Sequence, residues 1–385
     1  QQRYSAVDGL APPHAFQRMQ RDHVALVAAA LFLLCITVPS PGHGFFTVTP
    51  PVPRLSTQGG LELSQLGVGT WQWGNKLLWD YATTDDQRLS AVFSAFVEGG
   101  ANWFDTGDSY GTGELEGRAE LLLGKFSQAE QKQNGRQVVL ATKLAAYPWR
   151  LTPGSMVEAV QSSNERIGRP VDIAQMHWSP RSYGFAFQED ALLEGLCQCF
   201  EKGLCKAVGV SNFGPKNLRR VAERFKARGV PLALNQVQYS LLSVERESGV
   251  ADVCNELGVR LVAYSPLCLG LLAGRYKKNM GEANLPDNFL RSLLFGNLLA
   301  EKGTQNLLGL LQEIADSRGK TMAQVALNFV LTEGGGCAIV GARDANQAKE
   351  NLGACGWTLQ AAEMEELARA AASAPKTQKN AFFSE

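Results

Sequence analysis

The sequence predicts a single-domain α/β fold, a closed (β/α)8 barrel, and three observations lead to this prediction. From Leu61 onward, short β-branched runs alternate with segments of helical periodicity, which is typical of repeated βα units. Eight such runs can be counted. The polar residues best suited to chemistry stand at the carboxyl ends of these runs, where the active sites of such barrels lie.

Each predicted strand is a short apolar run that stops at a polar residue or a turn. The eight runs cover residues 67–70, 102–105, 138–142, 172–177, 207–210, 233–238, 260–264 and 337–341. Two of the intervening helices have recognisable beginnings, because Thr84 and Thr321 each open a capping-box pattern. Gly99 and Gly100 are expected to end the first of these helices.

The domain boundaries follow from this alternation. We expect the barrel to cover residues 61–375, followed by a C-terminal tail at 376–385. The connection from 268 to about 303 is rich in Gly, Pro and Asn and is predicted to be a functional lid or an insertion.

Residues 1 to about 60 are interpreted as a targeting leader. The apolar run at 24–38 has 15 residues, too few to span a bilayer, and this favours a signal-peptide core over stable membrane insertion of the mature protein. An amphipathic or signal-anchor segment is the alternative. A Thr/Pro-rich, acid-free stretch follows Phe45 and Phe46, as in the two-part leaders of secondary plastids. We therefore expect a plastid location, with the cytoplasm as the alternative.

Composition excludes several classes of protein. The chain has 385 residues, 45% of them hydrophobic, which is enough for a large core. Its 37 Lys and Arg balance 37 Asp and Glu, so no basic field favours nucleic acid as a partner. The 8 cysteines include no C-x-x-C pair and are expected to be small buried hydrophobic residues.

The carboxyl-terminal end of the predicted barrel, its mouth, holds four residues that are suited to donating a proton to a carbonyl oxygen. A tyrosine such as Tyr110 is a poor acid unless a nearby ammonium, here Lys143, stabilises the tyrosinate. Asp105 would hold Lys143 charged, and His177 would hydrogen-bond the carbonyl oxygen. A lone strand histidine is more often a core residue, but these neighbours favour catalysis. The other histidines lie in the leader, so we expect no metal site.

The motifs around these residues resemble those of the aldo-keto reductases. FDTGDSYG, ATK, QMHW, GVSNF, NQVQYS, YSPL and IVGAR occur in the family's order over nearly all of 61–375. The resemblance implies a barrel of the aldo-keto reductase type with a catalytic tetrad of Asp105, Tyr110, Lys143 and His177. In that tetrad Tyr110 is the general acid.

The resemblance also implies NADPH, laid in an extended form across the barrel mouth. No G-x-G-x-x-G motif is present, so a Rossmann-type site is not supported. The implied cofactor contacts are Thr70 and Trp71; Ser211, Asn212 and Gln236 at the carboxamide; Tyr264 stacked on the nicotinamide; Ser265, Pro266, Leu267, Gly270 and Leu271 along the pyrophosphate; and Gly341, Arg343, Gln347 and Asn351 around the 2′-phosphate.

The residues themselves support part of this assignment. Arg343 offers a planar fork for a phosphate and stands just before a helix predicted to begin near Ala345, which favours NADPH over NADH. The alternatives are an ordinary surface arginine for Arg343 and a buried strand-end aromatic for Tyr264.

Aromatic residues near the mouth suggest a flat, ring-bearing carbonyl substrate. The expected pocket residues are Trp73, Trp79, Tyr147, Trp149 and Trp178. For Trp79 and Trp149 the alternative is lid or core packing.

Within the family, WGNKLLWDY, DSYGTGELEG and NLGACGWTL resemble the plant-type members that reduce pyridoxal to pyridoxine in chloroplasts. Two alternatives are a broad-specificity aldehyde and ketone reductase acting in detoxification, and a non-catalytic NADPH-binding regulatory subunit. A small carbonyl compound is the expected partner.

Overall fold

Eight parallel strands form a closed barrel in the computed structural model, which describes residues 52–279, 282–284, 296–377 and 380–385. In chain order the strands are β1 (Arg54–Ser56), β2 (Glu62–Ser64), β3 (Leu66–Gly69), β4 (Trp103–Asp105), β5 (Val139–Leu144), β6 (Ile173–Met176), β7 (Ala207–Ser211), β8 (Leu232–Gln238), β9 (Arg260–Tyr264), β10 (Lys277–Asn279), β11 (Glu282–Asn284) and β12 (Cys337–Val340). The barrel order runs from β3 to β9 and closes through β12. The predicted fold class is confirmed, and each predicted strand lies within two residues of an observed one.

Helices alternate with the barrel strands. They are α1 (Lys76–Trp79), α2 (Asp86–Glu98), α3 (Arg118–Asn134), α4 (Pro153–Ile167), α5 (Ala186–Glu201), α6 (Pro215–Ala227), α7 (Val250–Leu257), α8 (Lys302–Arg318), α9 (Met322–Glu333), α10 (Ala345–Leu352) and α11 (Ala361–Ala372). Thr321 caps α9 as predicted, accepting the Gln324 amide N–H at 3.2 Å. The prediction for Thr84 is wrong, because a 3₁₀ turn at Thr83–Asp85 precedes α2 and Asp85 accepts the Ala82 amide N–H instead.

One large side chain fills the barrel interior near its amino-terminal end. Trp103 has no exposed surface, and its indole Nε1 donates to the Ser64 carbonyl oxygen at 2.8 Å. A Cβ atom at Gly67 would lie 2.2 Å from the Trp103 ring, so only glycine leaves room for it. Leu63 packs in the same buried cluster. The interior is therefore a packed core, and open space for a ligand must be sought at the other end.

A β-hairpin begins before residue 61, where the barrel is predicted to start. β1 pairs antiparallel with β2, and the intervening turn uses Gly59 and Gly60 at positive φ. Leu55 of β1 packs on the barrel-end cluster that contains Leu63. Residues 54–60 thus belong to the folded body, while the apolar run at 24–38 lies outside the described residues.

The long connection and the tail both carry structure. The former contains a 3₁₀ turn at Cys268–Ala273 and the β10–β11 hairpin, and α8 begins at Lys302, near the predicted position. The predicted tail folds back onto the barrel, where the Thr377 amide N–H donates to the Leu242 carbonyl oxygen at 2.8 Å.

The cysteines in the described part of the chain agree with a reducing environment. Its seven cysteines are free and buried. Among the same residues no group of three or more His, Cys, Asp or Glu side chains is placed to hold a metal ion. No helix within the described ranges has the length and apolar character needed to cross a membrane.

Candidate active site

A buried ion pair lies at the centre of the mouth. Asp105 ends β4 and Lys143 lies on the neighbouring strand β5, so both side chains reach the same point. The Lys143 ammonium donates to Asp105 and, at 2.7 Å, to the Thr106 carbonyl oxygen. The other Asp105 oxygen accepts from the side-chain amides of Gln175 at 2.8 Å and Gln236 at 3.0 Å. These bonds offset the cost of removing both charges from water.

Tyr110 and His177 complete the group of four. The Lys143 Nζ lies 4.9 Å from the centroid of the Tyr110 ring, and the Tyr110 and His177 rings are 5.8 Å apart, edge to face. His177 is buried, whereas Tyr110 keeps part of its surface exposed. The structure therefore brings together all four residues of the predicted tetrad.

Burial controls the protonation of these groups. It raises the pKa of Tyr110 well above 10, and the negative charge of Asp105 acts in the same direction. It lowers the pKa of Lys143, which the charge of Asp105 opposes. Burial, and then the charge of Lys143, lowers the pKa of His177 well below 6.5. At neutral pH Tyr110 therefore carries its proton and His177 is uncharged.

Lys143 is expected to stabilise the tyrosinate of Tyr110; its ammonium donates to Asp105 and to the Thr106 carbonyl oxygen, and burial raises the pKa of Tyr110. A protonated phenol with a raised pKa gives up its proton most readily to a strong base. An alkoxide formed from a carbonyl is such a base.

A second ion pair supports the loop that carries Tyr110. Asp108 forms a 2.6 Å ion pair with Arg150 and accepts the Ala145 amide N–H at 3.1 Å. Its own amide N–H donates to the Lys143 carbonyl oxygen at 2.9 Å. Sequence reasoning did not select Asp108, although it lies between Asp105 and Tyr110 in one short loop. The pair joins the loops after β4 and β5.

The residues expected at the nicotinamide carboxamide lie beside the tetrad. The Ser211 hydroxyl donates to the Gln236 carbonyl oxygen at 2.8 Å. Asn212, held at a φ of 66°, donates to the His177 carbonyl oxygen at 3.2 Å and accepts from the Tyr264 hydroxyl at 2.9 Å. One hydrogen-bonded group therefore connects the ends of β6, β7, β8 and β9.

The residues expected along the pyrophosphate follow β9. Ser265 and Gly270 adopt left-handed backbone conformations, with φ of 54° and 92°. Leu267 and Leu271 have buried side chains, so only their backbones are available to a ligand. Across the mouth, the Thr70 hydroxyl donates to the Asp105 carbonyl oxygen at 3.1 Å.

A positively charged group stands at the start of α10. Arg343 donates its amide N–H to the Gln347 side chain at 2.9 Å, and Asn351 donates to the Gly341 carbonyl oxygen at 3.2 Å. Within the described residues the Arg343 guanidinium forms no ion pair, and its Nε is buried without a hydrogen-bond partner. Burial and the nearby charge of Arg275 lower the pKa of Arg343. This unneutralised charge fits an anionic ligand.

Aromatic side chains form a wall beside His177. Tyr147 stacks on Trp149, with centroids 4.6 Å apart, and meets Trp178 edge-on at 6.4 Å. Trp178 in turn lies 5.0 Å from the His177 ring. Three of the five predicted pocket residues are thereby in contact with one another.

The other two predicted pocket residues pack against different partners. Trp79 pairs edge-to-face, at 4.5 Å, with Trp71, which is expected to contact the cofactor. Trp73 has no exposed surface and packs against Phe126 of α3, so its assignment to the pocket is wrong. Because Trp73 follows β3, it is expected at the mouth of the barrel, but its burial against α3 makes it a core residue.

Together, the barrel and its mouth define an α/β-barrel protein whose candidate active site holds a tyrosine, a lysine, an aspartate and a histidine. The sequence matches the model of the aldo/keto reductase family over residues 65–372, and the chain belongs to that family. The predictions of family and of an NADP-dependent oxidoreductase are therefore confirmed.

Several known proteins are similar to this chain. The chloroplastic pyridoxal reductase of Arabidopsis thaliana is 47% identical over 329 residues, which cover 84% of this chain and 88% of the relative. An L-glyceraldehyde 3-phosphate reductase of Escherichia coli O157:H7 is 29% identical, over 78% of this chain and 86% of its own length. A silkworm aldo-keto reductase complexed with NADPH matches with 25% identity and a TM-score of 0.62, covering 83% and 87% of the two chains.

Proposed function

We propose that this NADPH-dependent reductase converts pyridoxal into pyridoxine, with Tyr110 as the general acid. The observation that carries the catalytic part is the convergence of Tyr110, Lys143, Asp105 and His177 on one mouth, through the contacts described above. The substrate is supported by the 47% identity to a chloroplastic pyridoxal reductase over most of both chains.

The residues of the mouth fit the cofactor at both ends. Arg343, with Arg275 close by, offers an unneutralised charge to the 2′-phosphate, and the planar guanidinium suits a phosphate. Ser211, Asn212 and Gln236 are the polar side chains at the expected carboxamide end; each bonds within the protein and would exchange such a bond for one to the carboxamide. When bound, NADPH supplies the hydride that reduces the carbonyl carbon.

Tyr110 and His177 act on the carbonyl oxygen. As negative charge develops there, Tyr110 donates its phenolic proton to that oxygen, and water later restores the proton to Tyr110. Neutral His177 can donate a hydrogen bond to the same oxygen and so fix its position. The Lys143 ammonium lies 4.9 Å from the centroid of the Tyr110 ring and stabilises the tyrosinate, and Asp105 favours the charged form of that ammonium.

A flat aromatic aldehyde suits the wall next to His177. Tyr147, Trp149 and Trp178 form a group of rings that reaches the imidazole through Trp178. Stacking on such rings stabilises a flat substrate beyond its simple burial. The same wall would favour pyridoxal over small aliphatic aldehydes.

Lys143 is protected from a side reaction with this substrate. An uncharged lysine amine could form a Schiff base with pyridoxal. The Lys143 Nζ, however, is buried and donates to Asp105 and to the Thr106 carbonyl oxygen. Both bonds favour the protonated amine, which is not a nucleophile.

We further propose that the protein acts in a plastid. The composition of the first 60 residues and the chloroplastic relative support this location. Residues 1–60 fused to a fluorescent reporter should direct it to the plastid of a secondary-plastid alga. A reporter spread through the cytoplasm would contradict the proposal.

The substrate is tested by comparing kcat/KM for pyridoxal with kcat/KM for small dicarbonyls and a nitrobenzaldehyde, since specificity is this ratio. NADPH oxidation is followed at about 340 nm and pyridoxine is identified as the product. We expect pyridoxal to be preferred at least about tenfold, or about 1.4 kcal/mol. A preference for the other carbonyls would favour a broad-specificity reductase, and NADPH binding without any turnover would favour a regulatory subunit.

A further inference from the structure

Tyr110 ends a short turn in the loop after β4. Its amide N–H donates to the Gly107 carbonyl oxygen at 3.0 Å, so residues 107–110 form a four-residue turn with Asp108 at its first corner. A Cβ atom at Gly107 would lie 3.2 Å from the Tyr110 ring, so the ring packs on the backbone of its own turn. The position of the phenol therefore depends on how this turn is held.

Asp108 attaches the turn to the loop after β5. The Asp108 amide N–H donates to the Lys143 carbonyl oxygen at 2.9 Å, and one carboxylate oxygen accepts the Ala145 amide N–H at 3.1 Å. The other oxygen forms the 2.6 Å ion pair with Arg150. The side chains of Asp108 and Arg150 are only 4% and 16% exposed, so solvent and salt screen this pair little.

The Arg150 guanidinium also contacts the aromatic wall beside His177. It lies over the ring of Tyr147, 5.1 Å from the centroid, which is a favourable arrangement of a cation and a ring face. A planar guanidinium stacks on such a face better than an ammonium does. Through Asp108 and Tyr147, one side chain thus contacts both the turn that carries the proton donor and the wall expected to hold the substrate.

Arg150 is itself held by its own loop and by α5. Its Nη1 donates to the Ala145 carbonyl oxygen at 2.7 Å, and its amide N–H donates to the Tyr147 carbonyl oxygen at 2.9 Å. The buried Gln188 side chain of α5 donates to the carbonyl oxygens of Tyr147 at 2.6 Å and of Arg150 at 3.0 Å. A side chain anchored in this way can fix the separation of its two partners.

We propose that Arg150 is a positioning residue for proton transfer to the substrate. It acts through Asp108 on the turn of Tyr110 and through Tyr147 on the aromatic wall, and so sets the distance between the phenol and the bound aldehyde. This inference rests on the proposed function, in which Tyr110 is the general acid. A displacement of about 1 Å between reacting groups can lower a rate by about 10².

The charge of Arg150 contributes as well as its shape. Burial is the main cause that raises the pKa of Tyr110, and the negative charge of Asp108 acts in the same direction. Arg150 offsets that charge through the ion pair. Without a positive charge at position 150, Tyr110 should be a weaker acid, and the buried Asp108 carboxylate would lose its partner.

The test determines whether Arg150 acts through Tyr110. For Arg150→Gln, kcat and KM for pyridoxal are measured at saturating NADPH in the full-length chain and in the full-length chain that also carries Tyr110→Phe. Glutamine keeps a donor for the Ala145 carbonyl oxygen but has no charge. Arg150→Gln should lower kcat about tenfold when Tyr110 is present and leave kcat within about twofold when Phe replaces it.

Binding measurements separate the two contacts of Arg150. KM for pyridoxal should rise at least about threefold in both backgrounds, because the wall loses its guanidinium in both. The Kd for NADPH, from fluorescence titration, should not change. A kcat that falls equally in both backgrounds, a kcat that does not fall when Tyr110 is present, or an unchanged KM would overturn the proposal.

Arg150→Lys tests the proposal even if Arg150→Gln does not fold. The ammonium keeps a positive charge for Asp108 but stacks less well on Tyr147. We therefore expect kcat within about twofold of the unchanged chain together with a raised KM for pyridoxal. A fall in kcat of about tenfold with an unchanged KM would overturn the proposal.

Arg318→Gln is the matched control, because Arg318 also joins an ion pair to an aromatic contact. It pairs with Glu363, its Nε donating at 2.7 Å, and lies 5.6 Å from the centroid of the Trp357 ring, between α8 and α11. Its kcat and KM should equal those of the unchanged chain. A loss equal to that of Arg150→Gln would overturn the proposal, since breaking any such pair would then lower activity.

Failure of the inference can be told apart from failure of the proposed function. If Tyr110→Phe alone keeps the kcat of the unchanged chain, both are overturned. If Tyr110→Phe loses activity but Arg150→Gln does not, only the inference is overturned. The same comparison with a nitrobenzaldehyde, which is also flat and aromatic, separates the role of Arg150 from the choice of pyridoxal as substrate.

Discussion

The buried Asp105–Lys143 pair shows how single residues set the chemistry of the mouth. The positions of Asp105 and Lys143 at the ends of strands were enough to predict that they meet, because the parallel strands of a barrel end at one face. Gln175, which also bonds Asp105, was missed. It lies two residues before His177 on β6, and the period of two along a strand places the two side chains on one side. That period could have identified Gln175 from sequence alone.

The preference for NADPH over NADH is predicted to depend on Arg343. Replacing Arg343 with Ala should raise KM for NADPH at least about tenfold and leave KM for NADH nearly unchanged, because only NADPH has the 2′-phosphate. Steady-state kinetics with both cofactors measure this. Arg136→Ala serves as the control, since Arg136 pairs with Glu130 at the end of α3. Equal rises for both cofactors would mean that Arg343 does not recognise the phosphate.

The barrel strands could be predicted from the sequence, but two segments that flank the barrel, β1 and residues 380–385, could not. The strands are short runs of apolar residues between turns, a local pattern that the barrel does not override. β1 has only three residues and follows a Pro-rich stretch, so its pairing with β2 depends on contacts that sequence does not display. Residues 380–385 have no regular period. Their position comes from hydrogen bonds to residues far away in the chain, such as Asn212.

The β1–β2 hairpin should contribute strongly to stability through Leu63. This side chain is fully buried against the barrel-end cluster, so Leu63→Ala should lower the free energy of unfolding by about 2–5 kcal/mol. Leu77→Ala makes the same chemical change at a side chain that is 58% exposed and should have little effect. Urea unfolding of both variants measures the difference. Equal losses would show that the hairpin does not form part of the core.

Across the whole molecule, acid should weaken the fold partly through His177. Its pKa is lowered well below 6.5 in the folded protein, so below about pH 6.5 the unfolded chain binds a proton that the folded chain does not. Above that pH the imidazole is neutral in both states and has no such effect. As pH falls, His177 should therefore cost up to about 1.4 kcal/mol of stability per pH unit.

His177→Gln isolates this contribution, because glutamine stays neutral at every pH. Free energies of unfolding are measured for both proteins at pH 7.5 and pH 5.5. The unchanged protein should lose about 1 kcal/mol more than the variant over this interval. Identical losses would mean that the folded imidazole accepts a proton at its ordinary pKa.

The central claim is that Tyr110 gives the proton in an NADPH-dependent reduction. The most direct measurement is kcat for pyridoxal, followed by NADPH oxidation, in the unchanged chain and in Tyr110→Phe, together with the Kd for NADPH. The account predicts a fall in kcat of about 10² or more with the Kd unchanged, because only the proton donor is removed. A kcat near that of the unchanged chain would contradict the assignment of Tyr110.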